Sequence, residues 1–225
     1  MNHKRLTLFA GHYGSGKTNI AVNYAIAMAK ENKKVCIADL DIVNPYFRTA
    51  DSAVRLQQAG VELISPQFAN TNVDLPALPA EAYRLVQDKS IYGVMDIGGD
   101  DRGAYALGRY VPAIKEEGNY RMIFVANCCR PLTRTADEAM EVMGEIEAAC
   151  GLAFTDIVNN SNLGPMSDPE VIGQSQDFIK ELCKKSGLPL YFTAVRQDLA
   201  CKLSHISNVF PLHLQEKYFD LPGQK

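Results

Sequence analysis

Gly11-His12-Tyr13-Gly14-Ser15-Gly16-Lys17-Thr18 follows the apolar run Leu6-Thr7-Leu8-Phe9-Ala10 and precedes a helical pattern. Glycines at 11, 14 and 16 let the backbone curl until successive N–H groups face one concavity, where Lys17 reaches outer phosphates and Thr18 offers a hydroxyl to Mg²⁺. A helix that opens at the loop adds unpaired N–H groups and the positive end of its dipole. The stretch is therefore read as a phosphate-binding loop, with Gly11, Gly14, Ser15, Gly16, Lys17 and Thr18 on the phosphates and Thr18 also on the metal. A glycine-rich turn that binds nothing is the plain alternative.

Working outward, Ile20, Tyr24 and Met28 recur every four residues beside Ala21, Ala25 and Ala29, which predicts an amphipathic helix to about Asn32. Val35-Cys36-Ile37-Ala38 is a continuous apolar run, as a strand buried on both faces of a parallel sheet requires. Helix and strand patterns then alternate: helix 49–59, strand 61–64, helix 79–88, strand 91–96, helix 102–117, strand 120–126, helix 134–149, strand 153–158, helix 168–186 and strand 189–194. Segments 41–48 and 65–76 read as loops, the latter rich in Pro, Asn and Asp. The alternation predicts one α/β domain over residues 1–225, a mostly parallel sheet of about seven strands with helices on both faces.

Composition narrows the partners. The chain has 225 residues, 47% hydrophobic and 22% charged, with a formal net charge of −3. That charge gives no bulk attraction to nucleic acid or anionic membrane, and neither is expected as a partner. The apolar run after Lys4-Arg5 is too short for a signal-peptide core, and no stretch approaches a membrane span, so a cytoplasmic protein is expected. Cysteines 36, 128, 129, 150, 183 and 201 form no C-x-x-C and read as buried thiols of a reducing compartment.

Ligands of such sheets bind beyond the carboxyl ends of the strands, where three acids fall. Asp39 and Asp41 close one strand and project to the same side, and Asp96 ends another. A triphosphate with Mg²⁺ needs a carboxylate for the metal's waters and a polar group to orient the attacking water, which selects Asp96 and Asp41 and leaves Asp39 a supporting role. Each acid has the alternative of an ordinary turn or cap. Gly98-Gly99 reads equally as a loop free to approach the γ-phosphate or as a plain turn.

At this point nearly the whole chain resembles the MinD/ParA class of P-loop ATPases, the group of the nitrogenase iron protein and the iron–sulfur scaffold ATPases. Asp39-x-Asp41-Ile42-x-x-Pro45 resembles the first switch segment, and Tyr92-Gly93-Val94-Met95-Asp96 with Ile97-Gly98-Gly99 the Walker B strand and second switch. The resemblance implies ATP and Mg²⁺ as ligands, Lys17 and Asp41 as catalytic residues, Thr18 and Asp96 at the metal, and Asn159 on adenine. Asn159 is followed by Asn160-Ser161 and not by a guanine-selecting Lys-x-Asp, which favours ATP. Ala194-Val195-Arg196-Gln197-Asp198 resembles the loop beside the base.

Many relatives carry a lysine after the first glycine that reaches across an ATP-bound dimer; this chain has His12, whose imidazole lacks a constant charge at pH 7. A homodimer is one arrangement the resemblance allows, and a protein partner is expected. Adjacent Cys128-Cys129 lacks the cysteine spacing of relatives that hold an iron–sulfur cluster. The leading expectation is a nucleotide switch with slow or partner-stimulated ATPase activity, in metal-centre assembly or spatial organisation. A small-molecule kinase or ATP-dependent ligase of the dethiobiotin synthetase kind, using segment 65–77 or the region Arg102 to Arg109, is the alternative. A DNA- or membrane-bound partitioning protein fits least, because Leu212 to Phe219 is short and not basic.

Overall fold

The computed structural model describes residues 3–41, 49–65, 80–99 and 101–215. Most of the expected first-switch segment and of the loop expected over 65–76, together with Asp100 and the end of the C-terminal segment, lie outside these residues.

Eight parallel strands form one sheet: β1 Leu6–Ala10, β2 Val35–Leu40, β3 Glu62–Ile64, β4 Tyr92–Ile97, β5 Tyr120–Ala126, β6 Asp156–Asn159, β7 Leu190–Arg196 and β8 Val209–Leu212. Their order is β3-β2-β4-β1-β5-β6-β7-β8. The helices are α1 Lys17–Lys30, α2 Ala53–Gln58, α3 Arg84–Gln87, α4 Asp101–Gly108, α5 Val111–Glu117, α6 Ala136–Cys150 and α7 Pro169–Ser186.

Two cores lie on opposite faces of the sheet, and the period-two alternation of the strands feeds both. Leu6, Leu8, Cys36, Ala38, Met122 and Phe124 pack with residues of α3 to α7, whereas Phe9, Val35, Ile37, Ile123 and Val125 pack with α1 and Leu56 of α2. Both faces are covered, so the strands read as unbroken apolar runs.

The sequence reading needs two corrections. The sheet has eight strands where about seven were expected: β8 is a four-residue edge strand containing Pro211, a residue that argues against a strand unless it lies at an edge. The expected helix over 102–117 is two helices, because Gly108 ends α4 and Pro112 opens the first turn of α5. Elsewhere the termini carry recognisable signals. Thr135 and Glu138 make a reciprocal capping box on α6, and Asp168 caps α7 through the Val171 N–H at 2.9 Å.

At the amino-terminal end of the sheet, buried Arg5 pairs with Glu117 and donates to the carbonyls of Leu85 (2.9 Å) and Ile91 (3.0 Å). It ties β1 to α3, β4 and α5. Removing one partner of a buried pair strands the other charge. Arg5→Ala should therefore lower unfolding free energy by about 3 kcal/mol, measured by urea denaturation.

Candidate functional site

The loop between β1 and α1 has the shape its residues imply. Gly11, Gly14 and Gly16 hold φ of 150°, 75° and 89°, values L side chains avoid. The Ser15 N–H donates to the His12 carbonyl at 3.1 Å, closing the turn, and Lys17 Nζ donates to the same carbonyl at 3.3 Å. Asn160, beyond β6, supports the loop through Nδ2 to the Ser15 carbonyl at 2.6 Å, so close that a Cβ on Gly16 would collide with it. From the other side the loop after β4 presses in: a Cβ on Gly99 would lie 2.7 Å from Tyr13 N and 2.8 Å from Lys17 Nζ. Gly98-Gly99 is thus more than a plain turn, since its second glycine permits a close approach.

Strand register gathers the acids. Asp39 pairs with Asp96 across β2 and β4, and Asp96 pairs with Phe9 across β4 and β1. Asp39 and Asp96 continue the period-two row of Val35, Ile37 and Val94 in the α1-side core, which places them on the face that α1 covers. Thr49 ties them together, its N–H donating to Asp39 Oδ2 at 3.2 Å and its hydroxyl to Asp96 Oδ2 at 3.1 Å. Asp39 Oδ1 accepts the Asp41 N–H at 3.0 Å.

Burial raises the pKa of Asp39, helped by the charge of Asp96 and opposed by the two N–H bonds. Burial also raises that of Asp96, against the Thr18 and Thr49 hydroxyls and the Lys17 ammonium, with Asp41 adding to the rise. Without a cation, this cluster holds protons that an unfolded chain would release.

The loop and Asp41, with residues beyond β5 to β8, line a cleft of about 620 Å³, within the range of small-molecule sites, and Asp39 and Asp96 lie buried behind it. Its lining includes the loop from Tyr13 to Asn19, Asp41, Arg130, and Asn160, Asn162 and Arg196 from beyond β6 and β7. Three buried polar atoms around the loop have no hydrogen-bonding partner among the described residues: His12 Nδ1, Ser15 Oγ and Asp96 Oδ1. A carboxylate oxygen so placed beside the first turn of α1 suits a metal-bound water, and a curled loop with an orphaned hydroxyl suits an anion.

Solved structures share this architecture. Cell division protein FtsY from Thermotoga maritima superposes with a TM-score of 0.57 at 17% identity, over 84% of this chain and 61% of that one. Chloroplast FtsY from Physcomitrella patens gives 0.58 at 16%, over 86% and 59%. The 54 kDa signal recognition particle protein from Aeropyrum pernix, solved with GDP, gives 0.54 at 16%, over 85% and 41%. The fold is thus P-loop NTPase-like, a single parallel α/β sheet with helices on both faces. The chain spans about 40–60% of these three proteins' own lengths. No family model and no curated protein matches the sequence.

Within this P-loop NTPase fold, Gly14, Ser15, Gly16, Lys17, Thr18 and Asp41 line the cleft, with Gly11 at the loop's start and Asp96 buried against Lys17 and Thr18. Asn159 is not among the lining residues. It is fully buried, with Nδ2 donating to Ser175 Oγ at 2.9 Å and Oδ1 accepting the Ser161 N–H at 3.1 Å. Sequence reasoning missed Thr49, Asn160 and Arg130, which meet the site through tertiary contacts, although the unbroken Asn159-Asn160-Ser161-Asn162 run was a visible polar signal. Cys128 and Cys129 are half-buried free thiols, and burial with the neighbouring thiol pushes Cys129 up. Among the described residues no group of three or more His, Cys, Asp or Glu is placed to hold a metal.

Because the folded-state pKa values of Asp39 and Asp96 are raised, their contribution favours the apo fold at low pH. It is lost as pH rises through a window of roughly 4 to 7. Asp96→Asn removes one charge yet retains an acceptor for Thr49. It should raise apo unfolding free energy by about 1–2 kcal/mol at pH 8 and by much less at pH 4, read from denaturant melts. Gly99→Ala should lower the unfolding free energy by about 1–3 kcal/mol, because its Cβ would press on the Tyr13 backbone and Lys17 Nζ, as read from urea denaturation.

Proposed function

We propose that this chain binds Mg²⁺-ATP and hydrolyses it slowly to ADP and phosphate, as a nucleotide switch of the MinD/ParA kind acting on a protein partner. The observation that carries the reading is a glycine loop with an orphaned Ser15 Oγ that lines a cleft, and behind it an orphaned Asp96 Oδ1 buried against the cleft residues Lys17 and Thr18. Lys17 and the loop N–H groups hold the phosphates, Thr18 ligates Mg²⁺, Asp96 holds the metal through water, and Asp41 orients the attacking water. Bound Mg²⁺ supplies neutralisation of the phosphate oxygens.

Adenine is favoured on chemical grounds. Guanine presents N1–H and N2 donors that call for a carboxylate, and the described lining residues beyond β6, β7 and β8 include none. Asp198, the nearby acid, is engaged by Arg196 through a bidentate pair. Asn159 acts through the loop it shapes, which carries Asn160 and Asn162 into the cleft.

Slow turnover follows from His12, which lacks the permanent charge that would reach a second active site. The partner contacts the loops around the cleft, which expose Tyr13, Leu132, Leu163 and Met166. Metal-centre assembly and spatial organisation are the roles in which such a switch would serve.

Titration calorimetry with and without Mg²⁺ tests the reading. ATP should bind only with Mg²⁺, GTP at least about tenfold more weakly, and Lys17→Ala should abolish binding. Product analysis should find only ADP and phosphate. Absence of binding at millimolar ATP would end the proposal, and phosphate transfer to a metabolite would replace the switch by a kinase.

A further inference from the structure

We infer that Arg130 contacts the phosphate chain of the bound nucleotide and supplies, from within the same chain, the fixed positive charge that position 12 lacks. This rests on the nucleotide reading above and adds a residue that lies outside the glycine loop and its motif.

Arg130 ends a turn that immediately follows β5. Its N–H donates to the Asn127 carbonyl at 3.1 Å, and the Cys129 N–H donates to Asn127 Oδ1 at 3.0 Å. Fully buried Thr133 donates to the Asn127 carbonyl at 2.8 Å, and the Cys128 N–H donates to Ser161 Oγ, beyond β6, at 3.1 Å. Four hydrogen bonds therefore fix the backbone that presents this side chain.

The guanidinium is then pinned to the phosphate loop itself: Nε donates to the Gly14 carbonyl at 3.1 Å. That bond uses one of five N–H donors, and Nη1 and Nη2 have no partner among the described residues. A planar fork held at one corner, with four donors open on a cleft it lines, suits phosphate oxygens.

The other cleft-lining arginine cannot do the same. Arg196 is engaged by both carboxylate oxygens of Asp198, at 2.5 and 2.8 Å, and by the Pro165 carbonyl at 2.7 Å. No carboxylate neutralises Arg130 among the described residues, so its charge is available to an anionic ligand.

A purely structural role would require only a donor for the Gly14 carbonyl, and that difference makes the two roles separable. Arg130→Gln keeps an N–H donor without charge, and Arg130→Lys keeps charge without the fork. ATP affinity of the full chain is measured by titration calorimetry with Mg²⁺ across a series of NaCl concentrations, with the unliganded melting temperature of each variant recorded.

The inference expects Arg130→Gln to melt like the parent, bind ATP at least about tenfold more weakly and depend less steeply on salt, with Arg130→Lys recovering the steeper dependence. ATP binding by Arg130→Gln within twofold of the parent, with the same salt dependence, overturns it and leaves Arg130 a loop pin. If the parent chain itself binds no nucleotide, the nucleotide reading fails first and this inference with it. Normal parental binding with an unaffected Arg130→Gln removes only the role of Arg130.

Discussion

Parallel register is the constraint on which the site depends. Pairing β2 to β4 and β4 to β1 sets Asp39, Asp96 and the last residues before the loop at one level, on the face of the sheet that α1 covers. Carboxylates that a flexible chain would keep apart in water are thereby held together away from it. Thr49 reduces the cost by bonding both, and Lys17 provides the nearest positive charge, yet Asp96 Oδ1 stays without a partner. Such an arrangement persists because the two cores fix the strands whatever the acids prefer.

The loops at the carboxyl ends of the strands extend the same logic. The phosphate loop is supported by Asn160 behind Ser15, by Gly99 close against Lys17, and by Arg130 on Gly14. Three separate crossovers thus each bring one residue against the loop, two of them by a hydrogen bond. Contacts of this kind hold a loop's backbone in one shape, the condition under which successive N–H groups can act together.

Much of this was legible in the residues. The alternation of apolar runs and four-residue periodicity gave the parallel sheet and most element boundaries, and the glycine spacing with Lys17 and Thr18 marked the loop, because those features depend on local physics. The eighth strand was hidden because Pro211 speaks against a strand unless its edge position is known. The break between α4 and α5 was written in Gly108 and Pro112, weak punctuation inside a long helical pattern. Thr49 and Arg130 carried no signal of their own, since a lone Thr or Arg acquires a role only when distant strands bring it to a partner, and the polar run around Asn160 marked a site without saying which of its residues meets the loop. Asn159 shows the converse: adjacent in sequence to a residue that lines the cleft, it faces Ser175 instead.

Pro211 also bears on how the sheet meets its surroundings. It sits opposite Val195 on the outermost strand, where a free amide would otherwise invite an incoming chain, and the far edge, β3, is only three residues long. Among the described residues neither border offers a long ladder for another polypeptide to zip onto, a feature that opposes amyloid-like growth from the folded state.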